Sequence, residues 1–478
     1  MVFLCIRLAA SSRSNHFGML LSLMLLGLLV FPLNILRIET GAAVLFPIFS
    51  AKEIIPRVNH GVGLAVLVSF GFGLLFLAYR YRAHLARLVF GCGYLVVPIL
   101  FITFPRMASD WLTNPRRSVG FEPASSLPQR DTSKDLRVVW AIFDELDEGL
   151  LFPDRPRTLA MPNFDRLRKE AIMVTNAYPP GWDTLNSIPL LLTGLPGRVD
   201  ALYWDDIELK YDDFASTVRW SDVPNIFGEA RALGYKTGLT GWFHVYCHVL
   251  GKNLDTCYRH SRPRFDYDHR FFVNIQMMTD RFFVMSRRSV FSHIDDFRRL
   301  QEAGRIQAAN PDLGLVFVHL PVPHAPWIYD RVSEEIVDPQ DDSPVGYIDN
   351  LALTDRAMGK LRSAMERTAI WDRSVYIVSA DHSWRGRKKL DGRWDPRVPF
   401  LIHFPDGGHA ELHHPMDTII TSRLISEILH GNITTTKAAE SWINHESRQF
   451  VPNVEKLRPP AEPEAPRSPL LSRLEVLQ

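Results

Sequence analysis

Three short stretches of this chain set metal-seeking or nucleophilic side chains beside apolar runs. Arg137-Val-Val-Trp-Ala-Ile-Phe143 stops at Asp144-Glu145, and Ser374-Val-Tyr-Ile-Val-Ser-Ala380 stops at Asp381-His382. Each run has the length and β-branched content of a buried strand, and ligands in open α/β sheets gather beyond strand carboxyl ends. An acidic pair after one strand and an Asp-His pair after another can converge on one divalent ion such as Mn²⁺, Zn²⁺, Mg²⁺ or Ca²⁺. Taken singly, the acidic pair suits a solvated turn or a helix cap equally well. The third stretch, Tyr178-Pro-Pro-Gly-Trp-Asp-Thr184-Leu-Asn-Ser187-Ile-Pro-Leu-Leu-Leu-Thr-Gly194, puts a hydroxyl ahead of an apolar run. There Thr184 either caps a helix or, with a metal beside it and a helix N-terminus favouring negative charge, serves as a nucleophile.

Such residues need a sheet to bring them together. Strands are expected at Arg137 to Phe143, Gly314 to His319, Ser374 to Ala380 and Val398 to Phe404, and helices at Asn163 to Glu170, Val223 to Leu233 and Ile348 to Glu366. Strands alternating with helices predict an α/β domain with a mostly parallel central sheet flanked by helices, over 137–445. The polar segment 106–136, with Pro115, Pro123 and Pro128, reads as a linker. The Pro-rich segment 446–478 reads as a flexible tail.

The 478 residues carry 54 Lys and Arg against 53 Asp and Glu, so nothing in the charge balance points to nucleic acid. Apolar residues crowd the region 1–105, where 17–36, 61–79 and 88–105 contain no Asp, Glu, Lys or Arg. About 20 helical residues span roughly 30 Å of hydrocarbon, so three transmembrane helices are expected. A cleaved signal peptide is the alternative for the first. Arg7 and Arg13 before the first span, and Arg80, Arg82 and Arg87 between the second and third, put those ends inside and the domain after Pro105 outside the membrane. In an oxidising compartment Cys247 and Cys257 either pair or remain two thiols.

In order along the chain, Asp144-Glu145, Met161-Pro-Asn163-Phe-Asp-Arg-Leu167, Thr184 with Leu192-Thr-Gly194, and Asp381-His382 resemble the alkaline phosphatase and sulfatase superfamily. The resemblance covers about Arg137 to Pro405, and the layout is most similar to membrane-anchored lipoteichoic acid synthases and phosphoethanolamine transferases. It implies Asp144, Glu145, Asp381 and His382 as metal ligands, with Thr184 as nucleophile and further ligand. Thr184 stands nine residues before the Thr of Leu-Leu-Thr-Gly, the family's spacing, which favours it over Ser187.

The sulfatase C/S-x-P-x-R segment is absent, since Asn186 and Ile188 stand where Pro and Arg belong. In the Gly234-Tyr-Lys-Thr-Gly-Leu-Thr-Gly-Trp242-Phe-His244 segment, Trp242 stands in place of an anion-binding Lys. His244, and His319 and His324 around Leu-Pro-Val-Pro-His324-Ala-Pro326, match substrate-contacting positions, although His319, at a strand end, suits a hydrogen-bonded structural role equally well. His324 is expected either to donate to a phosphoryl oxygen or to protonate a leaving alkoxide. Asp349 and Asp355 are expected to be structural or solvent-facing, and His403, His413 and His414 are not assigned to a metal.

The resemblance thus implies a metal-dependent transferase or hydrolase of phosphate esters in the inner membrane. It would act outside the cytoplasm on a lipid headgroup, with an envelope glycan or water as acceptor. A phosphate, phosphonate or sulfate ester hydrolase, and a non-catalytic binding protein on the same fold, are the alternatives.

Overall fold

The computed structural model describes residues 135–202, 206–213, 216–260, 286–337 and 344–458, together with Arg80. The three expected spans lie outside the described residues, among which no helix is long and apolar enough to cross a membrane. By internal contacts the chain divides into two units, 1–120 with 267–286 and 121–266 with 287–478, and the described residues belong almost wholly to the second.

That unit is built on an eight-stranded sheet. In chain order its strands are β1 (Arg137–Phe143), β2 (Ile172–Val174), β3 (Lys236–Gly241), β4 (Thr256–Arg259), β5 (Leu313–Leu320), β6 (Ser374–Ala380), β7 (Leu401–His403) and β8 (Ala410–Leu412). Across the sheet the order is β8-β2-β7-β6-β1-β5-β3-β4. The contiguous set β6, β1, β5, β3 and β4 is parallel, whereas β7 runs antiparallel to both β6 and β2. Every residue of β1, β5 and β6 is buried. Strands covered on both faces read as continuous apolar runs, which is why these three were legible in the sequence.

Register aligns the strand ends. Phe143 pairs with Leu320 on one side and Ala380 on the other. The residues just beyond β1 and β6, and those closing β5, therefore emerge at one edge. At the opposite end of β1 the buried Arg137 donates to the carbonyls of Leu313 (3.0 Å) and Ala308 (2.7 Å), tying that strand to the start of β5 and to the preceding helix.

Helices α1 (Pro162–Lys169), α2 (Thr184–Thr193), α3 (Ile226–Ala232), α4 (Ser286–Ala308) and α5 (Val345–Arg367) occur within this unit. The expected helix at Val223 starts later, because Asn225 caps α3 by accepting from the backbone of Phe227 and Gly228. The expected strand at Val398 shortens to β7, because the Val398 backbone donates to Ala177 outside the main sheet. Asp355 accepts from the backbone of Asn163 (3.0 Å) and Phe164 (2.8 Å), capping α1 from across the structure, so its expected structural role has a definite form. The first part of the segment expected to be a flexible tail is packed: Val454–Leu457 form a helical turn and Leu457 is 5% exposed.

Candidate metal centre and nucleophile

Three adjacent strands deliver the centre of the site. Asp381 follows β6, Asp144 follows β1, and His319 lies in the last turn of the pleat of β5. One ligand atom from each lies within 4.8 Å of the others, and all three residues are buried. Asp144 Oδ1, Asp381 Oδ2 and His319 Nε2 have no hydrogen-bond partner. Buried polar atoms are rarely left so, and three together at one point match the donor set of a divalent ion. The residues present therefore fit the metal that the family resemblance implies.

The surroundings orient these ligands. His319 Nδ1 pairs with the Tyr246 hydroxyl at 2.8 Å, which directs Nε2 toward the two carboxylates. Asp381 Oδ1 accepts from the backbone of Glu145 (3.2 Å) and of His382 (2.9 Å), leaving Oδ2 for the centre. His382 Nδ1–H donates to the Ser383 carbonyl at 3.0 Å, so the lone pair of Nε2 points inward, 3.5 Å from Asp381 and 3.7 Å from Asp144. Burial, and then the neighbouring Asp381 and Glu145 carboxylates, push the Asp144 carboxyl well above its ordinary range. Asp381 is held below its usual value because His382 and His319 outweigh its burial. Burial lowers His319 to about 3.

Thr184 is the first residue of α2. The capping residue is Asp183, which accepts from the Asn186 backbone at 2.9 Å, so the Thr184 hydroxyl is not used as a cap. It lies 3.4 Å from Asp144 Oδ2 and 3.3 Å from His382 Nε2. Ser187, one turn on, donates to the Gly181 carbonyl at 2.8 Å and faces away from the centre. His244 Nε2–H donates to the backbone carbonyl of Thr184 at 3.0 Å, and burial lowers it to about 4, so the ring is a neutral brace for the start of α2. His324 stands across the site in a loop containing two cis peptide bonds, Val322–Pro323 and Ala325–Pro326. Its backbone N–H donates to the Asp144 carbonyl at 3.1 Å, and Asn350 donates to the Pro323 carbonyl at 3.3 Å. Burial lowers its imidazole.

Two residues lie elsewhere than the sequence implied. Glu145, expected among the ligands, adopts a left-handed backbone (φ 64°) that turns its carboxylate out to Arg385, 3.0 Å away, and it is not in the three-residue group. That turn is held by Tyr347, whose hydroxyl donates to the Glu145 carbonyl (2.7 Å) and accepts from the Asp147 backbone (3.0 Å). His319, expected to touch substrate, is instead in the group. Its place at the end of an apolar strand was the available signal. Arg385 and Tyr246 were missed, having no motif of their own. His403 stacks on Trp371, and His413 meets Thr175. Cys247 and Cys257 form a disulfide beside Tyr246.

A shallow cleft opens beside His382, lined by Trp182, Trp384, Arg385, Trp394, Pro396 and Leu457 among others. Trp384 is fixed by stacking on Tyr347 at 3.9 Å.

Among solved structures, similar folds include Ps i-CgsB in complex with k-i-k-neocarrahexaose (16% identity, 64% of this chain and 74% of that one, TM-score 0.47). A protein in the alkaline phosphatase superfamily from Vibrio parahaemolyticus is 16% identical over 64% of this chain and 68% of its own, with TM-score 0.41. The phosphonate monoester hydrolase of Agrobacterium radiobacter is 13% identical over 62% and 74%, with TM-score 0.40. No curated protein matches the chain by sequence. The sulfatase family model matches residues 138–435, a span that holds Asp144, Thr184, His319, Asp381 and His382, and the chain belongs to the sulfatase family.

Proposed function

We propose that this chain is a metal-dependent phosphoryl-group transferase or hydrolase in which Thr184 is the nucleophile. The donor is the phosphodiester of a membrane phospholipid headgroup, and the acceptor is an envelope glycan hydroxyl or water. The observation that carries the reading is the Thr184 hydroxyl at the start of α2, free of capping duty and within 3.4 Å of Asp144 and His382. Asp144, His319, Asp381 and His382 would hold the ion, which when bound supplies positive charge against the developing charge on the phosphoryl oxygens and the threonine oxygen.

The residues of the chain do the rest. The Thr184 hydroxyl passes its proton to Asp144 Oδ2 as Oγ1 bonds to phosphorus. The bond from phosphorus to the leaving oxygen breaks, and the leaving alkoxide takes a proton from His324, whose imidazole, lowered by burial, is protonated when the anionic substrate lies beside it. In the second half the acceptor hydroxyl gives its proton back to His324 while its oxygen bonds to phosphorus and releases Thr184, which takes its proton back from Asp144. His244 holds the carbonyl of Thr184, so the nucleophile cannot swing away between the halves.

A threonine is not a residue from which formylglycine is made, so the sulfate-ester alternative lacks its nucleophile. Anchoring by helices at 17–36, 61–79 and 88–105 would hold the site within reach of lipid. The Cys247–Cys257 bond supports an extracytoplasmic domain, since such bonds persist in oxidising compartments.

The test is elemental analysis of the purified full chain, combined with release of headgroup from phosphatidylglycerol and phosphatidylethanolamine vesicles. The expected result is one equivalent of divalent metal, and turnover lost by at least about 10³-fold in Thr184→Ala with metal content unchanged. Equal turnover in wild type and Thr184→Ala would overturn the assignment of the nucleophile.

A further inference from the structure

The metal corner is negatively charged, yet its substrate under the reading above is an anion. Asp144, Glu145 and Asp381 lie together, and a phosphoryl group approaching them through the cleft meets repulsion unless a fixed cation faces it. The cleft lining contains one such cation, Arg385, next to Trp384 and three residues beyond His382. Its Nε donates to Glu145 Oε1 at 3.0 Å, and its guanidinium carbon lies 5.8 Å over the ring of Trp182. Those contacts use one N–H and one face. No hydrogen bond from Nη1 or Nη2 occurs among the described residues, and the side chain is 39% exposed. A guanidinium lying over an indole and pinned at Nε has its remaining donors restricted in direction, and a planar guanidinium can receive two oxygens of a phosphoryl group.

We propose that Arg385 is the anion-binding residue of this site and that Glu145 is the positioning residue that aims it. The proposal rests on the Thr184 reading for which anion is bound, but its test does not use turnover alone. Glu145, on this account, serves the centre through Arg385. The strained backbone at Glu145 and its latch to Tyr347 then have a purpose: they turn the carboxylate from the metal corner toward the cleft.

The test is calorimetric titration of the metal-loaded full chain with inorganic phosphate, with metal content and thermal unfolding measured on the same samples. Arg385→Met is expected to weaken phosphate binding about 10- to 100-fold, the range for a charge-assisted pair, and to raise KM for the vesicle substrate more than it lowers kcat. Metal content should not change. Arg385→Lys should recover part of the affinity and guards against a folding defect in the methionine variant. Glu145→Gln should retain the metal and weaken phosphate binding less than Arg385→Met does.

Unchanged phosphate affinity in Arg385→Met and Arg385→Lys would overturn the proposal, as would loss of metal in Glu145→Gln. A wild type that binds metal but no phosphate also overturns it while leaving the Thr184 reading intact. A wild type that binds neither overturns both.

Discussion

Two buried charged clusters follow β1 within a few residues of each other, and they are built in opposite ways. The first is the corner of Asp144, His319 and Asp381, where three polar atoms face one another without partners. The second is centred on Arg387, 1% exposed, which donates to Asp147 (2.7 Å), Asp154 (2.5 Å) and Asp391 (3.1 Å). Gly149 lets it in, because a Cβ there would collide with the guanidinium. The Arg387 knot sets a fixed cation at its centre, although Asp147 Oδ2 has no hydrogen-bond partner and burial raises the Asp147 carboxyl to about 6. The corner has no cation of its own at its centre, so its carboxylates raise one another's cost. A buried cluster with a fixed cation at its centre can stand as architecture, and one whose facing donors are carboxylates and a neutral imidazole is suited to a cation ligand.

Breaking each cluster should therefore have opposite consequences, and this is the largest effect expected. Arg387→Met leaves buried Asp147 without its cation and should destabilise the fold by about 3–5 kcal/mol, while metal content per folded molecule stays at the wild-type value. Asp144→Asn removes one of the facing negative charges. In metal-free protein it should melt no lower than wild type, yet bind no metal. Chemical denaturation and elemental analysis of both variants check the pair. If Asp144→Asn destabilised the metal-free protein as much as Arg387→Met, the corner would be architecture too.

The second effect sharpens the contrast with no mutation. Adding divalent metal to metal-free protein should raise stability by about 2.7 kcal/mol at 100 times the dissociation constant. Thermal unfolding should show this rise in Arg387→Met as in wild type, and not in Asp144→Asn or Asp381→Ala. A rise of equal size in Asp381→Ala would place the ion elsewhere.

The sequence was most legible where burial made it uniform. β1 and β6 matched their expected bounds because both faces are covered and the apolar run ends at the charged residue that leaves the core. Thr184, Asp144, Asp381 and His382, which the structure brings together, each belong to a run or spacing local in sequence. The meeting of Glu145 with Arg385, 240 residues apart, depends on a left-handed turn held by Tyr347 from a distant helix, and no local pattern encodes it. His319 was assigned to substrate because sequence gives its place at a strand end but not its neighbour. Only the register of β5 against β1 sets it beside Asp144. The antiparallel strands Gly197–Leu202 and Ile207–Tyr211 went unread, their short alternation hidden among turn residues.

The smallest effect concerns the border of the Arg387 knot, where Glu148 is buried and faces Arg397 at 3.5 Å. Burial raises its carboxyl from 4.5 to about 7, against the pull of Arg397. A raised folded-state value means that its contribution to stability is fully present below about pH 4.5 and is lost as the pH rises through about 7. Glu148→Gln is neutral throughout, so its melting temperature should exceed that of wild type at pH 8, and the gap should nearly close at pH 5. At about 1.4 kcal/mol per unit the shift, in which the pull of Arg397 is already counted, corresponds to about 3 kcal/mol, and relaxation around the buried charge softens it. The expected gain at pH 8 is therefore about 1–2 kcal/mol. A Glu148→Gln protein less stable than wild type at pH 8 would mean that Arg397 holds the glutamate ionised. Glu148 would then belong to the self-neutralised cluster rather than to its strained edge.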